Sequence, residues 1–159
     1  MRLILILPVA ALSACTTPSF QGIFGPAPTA PAVAPAPTLN PTPPPAPPAN
    51  AVTQEQFDTT SQEERDAAVI TETAAGDRAL GTTIATLGPP AQPGIWLETP
   101  LVTALTPGRI DYQGKSINVE LRPSGGAAGS GSQISLAAMR LIAAPLTGLP
   151  ELTVFAVAP

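Results

Sequence analysis

The 159-residue chain has no histidine, one cysteine and 22 prolines, and its formal net charge is -4. These counts exclude His-based acid/base catalysis, His-ligated metals, thiolate metal clusters and internal disulfides. With no run of Lys or Arg there is no basis for nucleic-acid binding driven by phosphate neutralisation.

The first fifteen residues carry the strongest local signal. Met1-Arg2 supplies a positive start, Leu3 to Leu7 is uninterrupted aliphatic, and Leu12-Ser13-Ala14-Cys15 closes the apolar run. That run is far short of the roughly 20 residues a membrane-spanning helix needs, and its layout is that of an export signal. Leu12-Ser13-Ala14-Cys15 resembles the lipobox of bacterial lipoproteins at every position. The resemblance implies a signal peptide over residues 1–14, cleavage after Ala14, and acylation of Cys15. It also implies a membrane partner through the lipid anchor. Thr16 in place of Asp after the cysteine points, by the same resemblance, to the outer membrane facing the periplasm.

Residues 15–50 form a proline-rich linker, with eleven of the 22 prolines between Pro26 and Pro48. Proline fixes its own backbone and biases the preceding residue toward extended conformations. At about 3.1 Å per residue, a disordered but semi-rigid spacer of this kind reaches roughly 70 Å.

An acidic helical segment, residues 51–77, holds seven of the chain's eleven acids. Within it the spacing of Ser61 and Glu64 predicts a capping box, and Gly76 is a terminator for a helix over 59–76. The apolar face from Ala67 to Ile70 is thin, which predicts a solvated helix loosely tethered to the C-terminal domain.

Residues 78–159 read as a small β-domain. Strands are expected at 80–88, 94–102, 108–112, 115–122 and 151–158, and residues 133–144 begin extended and turn helical near Leu136. Ile117, Val119 and Leu121 alternate with Asn118, Glu120 and Arg122, the period-2 signature of a half-buried strand. Tyr112-Gln113-Gly114-Lys115 predicts a tight hairpin. The expected fold is mainly β, a small six-stranded barrel with one short helix, because closure removes exposed strand edges.

"QGKSINVELRPSGG" (113–126), "SQISLAAMRLI" (132–142) and "LTVFAV" (152–157) follow one another in an order that resembles the double-psi β-barrel of RlpA-like septal lipoproteins. That resemblance implies a barrel of double-psi type and a peptidoglycan connection. Members that act as lytic transglycosylases use acidic residues and a histidine. Here those positions fall on the short "PPAQP" stretch (89–93), on Pro123 and on Ser135, so no catalytic residue is expected. The runner-up reading is a weak or degenerate lytic transglycosylase, with Asp111 and Glu120 approaching each other across the hairpin.

The expected function is therefore non-catalytic binding or structural work at the cell envelope, with peptidoglycan or an envelope protein as partner and no cofactor. The possible ligand-binding residues are Trp96, free to stack if exposed but preferred as core filler, and Arg109, Lys115 and Arg122, joined by Arg140 if they share a face, with scattered surface charges as the default. The glycine-rich loop 125–131 lacks a phosphate-cradling pattern. A metal-dependent dehydratase of sugar acids lacks its ligands in this chain.

Overall fold

The computed structural model describes residues 42–69 and 76–157, all within one compact unit. The signal peptide, Ala14, Cys15 and most of the proline-rich linker lie outside the described residues.

Six strands form a closed barrel. In chain order they are β1 (Arg78–Leu87), β2 (Trp96–Thr99), β3 (Thr106–Tyr112), β4 (Lys115–Pro123), β5 (Ser132–Ile134) and β6 (Glu151–Ala156). Around the barrel they run β1-β5-β2-β4-β3-β6. Two contacts are parallel, β1 with β5 and β2 with β4, and the other four are antiparallel. Exchanging β1 with β4, β2 with β5 and β3 with β6 reproduces the same ring with the same directions. The topology is thus a doubled three-strand unit.

The interior follows from period-2 alternation. Ile117, Val119 and Leu121 of β4 meet Leu97 of β2, Ile110 of β3, Ile134 of β5, and Leu152 and Val154 of β6, all fully buried or nearly so. Gly108 sits where two strands approach closely: a Cβ there would lie 2.4 Å from Leu121 Cδ1 and 2.8 Å from the Phe155 carbonyl oxygen. Gln113 and Gly114 both have positive φ, 47° and 81°, which gives the β3–β4 connection the primed turn that matches strand twist.

A short helix, Leu136–Leu141, follows β5. Its N-cap Ser135 accepts from Ala138 N at 3.2 Å and also from Trp96 N at 3.1 Å, so one buried hydroxyl fixes the helix start to β2. Ala138, Met139 and Ile142 add to the core, and the chain turns at Ala143 (φ 54°) before Pro145.

The acidic segment differs from its sequence reading. Of the helix expected over 59–76, Gln62–Ala68 is helical and Val69 is extended, while residues 70–75 lie outside the described residues; a further short helix, Gln54–Phe57, precedes it. Both begin with a capping box, Thr53 with Gln56 and Ser61 with Glu64. The second ends at Ala68 because Val69 goes extended and makes an antiparallel bridge to Ile117. There β4 has an unpaired edge, since β2 covers only Glu120–Pro123. The segment is also docked rather than loosely tethered. Ala68 is wholly buried in the core cluster, and Asp58, 3% exposed, accepts from Arg140 at 2.8 Å and pairs with Arg65 at 3.2 Å. Arg140 and a buried methyl group anchor what composition alone presents as a solvated acidic run.

Candidate functional site

Because β5 inserts between β1 and β2, side chains distant in sequence line up on the barrel's outer face. Thr86 of β1 is level with Gln133 of β5, Gln133 with Glu98 of β2, and Glu98 with Arg122 of β4. Thr86, Gln133 and Glu98 of this row line an open cleft of about 550 Å³. The loop from Ser124 to Gly131 borders it, and exposed Ile84 and Leu149 bring apolar surface to it. Ser124 N donates to the Thr99 carbonyl at 3.1 Å, which anchors the loop's start to the end of β2. At Gly131 a Cβ would stand 3.3 Å from the Ile84 carbonyl oxygen, so a glycine holds the loop close to β1.

Among the described residues Glu98 is the one carboxylate lining the cleft. It is half-buried, and among the described residues its side chain has no hydrogen-bond or ion-pair partner. Arg122, its neighbour in the row, is engaged elsewhere: Nε donates to Glu120 at 2.6 Å and the guanidinium lies 5.1 Å from the Trp96 ring centroid. The apolar rim, the amide and hydroxyl floor and one unpaired anionic group together fit binding of a small polar ligand.

The sequence-derived candidates fare differently. Trp96 is wholly buried, so it is not a stacking platform. It lies outside the barrel's main cluster, under Arg122 and against Gly88, where a Cβ would come within 2.5 Å of its Cη2. Its Nε1 donates to the Gln92 carbonyl at 3.4 Å. Arg109 is also closed to ligands, with only 3% of its side chain exposed. It donates to Asp77 at 2.7 Å and to Asp111, and its guanidinium packs 3.9 Å from the Phe155 ring centroid. Burial pushes its pKa down, but the hydrogen bonds and charges of Asp111 and Asp77 outweigh this and leave it raised.

Lys115 is exposed at the hairpin, whereas Arg122 is at the far end of β4. Seven strand positions part them, about 23 Å. Arg140 is on the helix, bound to Asp58. The basic residues therefore share no face. The pairing of Asp111 with Glu120 also fails on register: Asp111 stands opposite Ser116, Glu120 opposite Pro107. Four strand positions part them, about 13 Å. Asp111 is held by Arg109 and Ser116, and Glu120 by Arg122. Among the described residues no group of three or more His, Cys, Asp or Glu is placed to hold a metal ion.

Thr86, Gln133 and the two apolar rim residues escape a reading of the sequence. Each sits on the solvent-facing side of an alternating strand or in a loop, and only the strand order brings them beside Glu98. Compared with protein-family models, curated proteins and solved structures, the chain matches none of them.

Proposed function

We propose that the chain is a lipid-anchored cell-envelope protein whose barrel binds peptidoglycan at the periplasmic face without cutting it. The lipobox-like Leu12-Ser13-Ala14-Cys15 and the proline-rich run support anchoring and reach. The doubled ring with its two parallel contacts supports the double-psi reading of the barrel. The observation that carries binding over two-carboxylate cleavage is that, among the described residues, a single carboxylate, Glu98, lines the cleft. Two-carboxylate glycosidic cleavage needs both groups facing the scissile bond, and Glu120 on the neighbouring strand is tied to Arg122.

The test uses the full chain in detergent, incubated with isolated peptidoglycan. Co-sedimentation and release of soluble muropeptides are measured together. Binding without release is expected. Release overturns the non-catalytic reading, and absence of both overturns peptidoglycan as the partner.

A further inference from the structure

The cleft's lining narrows which part of peptidoglycan it suits. Sugar rings present broad faces of C–H groups that aromatic side chains cover well, yet among the described residues no aromatic side chain lines this cleft, and the sole tryptophan is wholly buried. What the cleft offers instead is peptide-like. Thr86 and Gln133 provide hydroxyl and amide groups, the glycine-rich loop exposes backbone, and Ile84 and Leu149 present side chains 55% and 67% exposed.

Charge gives the second constraint. Glu98 is negative with no partner among the described residues, and Glu151, level with Ile84 on β6, is an exposed acid beside the apolar rim. The nearest basic side chain in the row, Arg122, is neutralised by Glu120 and turned over Trp96. The cleft and its margin therefore carry uncompensated negative charge, and a cationic group is its complement. Its volume of about 550 Å³ suits a ligand of a few residues rather than a folded partner.

We propose that this cleft binds a short peptide bearing a free primary ammonium, with Glu98 as counter-charge and Ile84 and Leu149 covering its small apolar side chains. Resting on the peptidoglycan reading, the inference assigns recognition to the amine-bearing peptide stems and not to the glycan strand. The ammonium sits against Glu98, its remaining protons directed to Gln133 and Thr86, and the peptide backbone runs along the loop 124–131.

Two probes separate this inference from the reading it rests on. The first is N-acetyl-Ala-Lys-Ala amide, titrated into the full chain in detergent beside the same peptide with its lysine amine acetylated. The second is isolated peptidoglycan, untreated or amine-acetylated, in the sedimentation assay. Acetylation is expected to weaken peptide binding by roughly fivefold, the scale of a half-exposed ion pair. Glu98→Gln, a near-isosteric change, should abolish that preference, and Leu149→Ser should weaken both peptides alike. Equal thermal melting of the variants confirms that the fold is kept. If Glu98→Gln retains the amine preference, or acetylation has no effect on the peptide, the inference is overturned. Sacculus binding indifferent to acetylation and to Glu98→Gln overturns it while leaving the envelope reading intact. Amine-selective peptide binding without sacculus binding does the reverse.

Discussion

Leu97 on β2 and Ile134 on β5 stand directly opposite each other, both with no measurable exposure, in a strand pair that the barrel's internal exchange maps onto itself. Each side chain thus occupies the equivalent place in its own half and packs against its counterpart. Truncation of either to alanine removes buried volume that a closed barrel has little freedom to refill. Leu97→Ala and Ile134→Ala are each expected to cost about 3 kcal/mol, measured by urea unfolding. Because the two share one cavity, the double variant should lose less than the sum, by on the order of 1 kcal/mol. Strict additivity would show that the two do not pack as a pair.

Arg109 gives a prediction with a pH signature. Replacement by Met strands Asp77, 5% exposed, without its cation, and about 3 kcal/mol of stability should be lost. Since the folded-state pKa of Arg109 is raised, its contribution is fully present below the ordinary guanidinium pKa. It disappears only as pH rises through the still higher folded value. The stability difference between the parent and Arg109→Met should therefore stay flat from about pH 6 to about pH 9. A difference that fades across that interval would mean that another titrating group dominates.

Asp58 ties the acidic segment to the barrel domain through Arg140 and braces the segment internally through Arg65, each arginine about a third exposed. Asp58→Ala should cost roughly 2 kcal/mol, less than a fully buried pair because solvent screens the arginine ends. The distinctive readout is local. Hydrogen exchange over Gln54–Ala68 should accelerate while the β4 ladder stays protected. Uniform acceleration throughout would mean that the segment and barrel open only together.

The barrel was largely legible in the sequence because its signals are local. Ile117, Val119 and Leu121 alternate, Gln113-Gly114 turns the chain, and the run after Leu136 carries a helical pattern. The site was not legible, because it depends on strand order. Nothing near Glu98 in sequence announces that Gln133 and Thr86 will stand beside it, since β5 reaches that place by crossing between β1 and β2. Arg109 misled for a related reason, whereas the preference for Trp96 as buried filler agrees with its position. Both lie on outward strand faces, where alternation predicts solvent, but the 88–94 stretch, Asp77 and Phe155 cover them. The acidic segment misled because composition counts charges and cannot see that Asp58 meets two arginines.

Glycine supplies a sharper test of close packing than of turn conformation. Gly108→Ala would place a methyl group 2.4 Å from Leu121 Cδ1 and 2.8 Å from a carbonyl oxygen of β6, so backbone must shift. A loss of about 3 kcal/mol or failure to fold is expected. Gly114→Ala meets open space but must keep φ at 81°, which costs only about 1 kcal/mol. Chemical denaturation of both variants checks the order, and a Gly108→Ala protein as stable as Gly114→Ala would contradict the close approach of β3, β4 and β6.

The proposed anchoring rests on Cys15, the only cysteine of the chain. A single acyl chain gives only marginal membrane binding, whereas two or more, at about 0.8 kcal/mol per buried methylene, hold stably. In a host that processes lipoproteins, the parent chain should incorporate labelled palmitate and pellet with membranes. Cys15→Ser should do neither and leave the protein in the soluble fraction, with its barrel still folded by circular dichroism. Membrane retention after the substitution would mean that residues 1–14 remain attached and hold the chain as an uncleaved leader. The reach given by the proline-rich linker would then start from a different point.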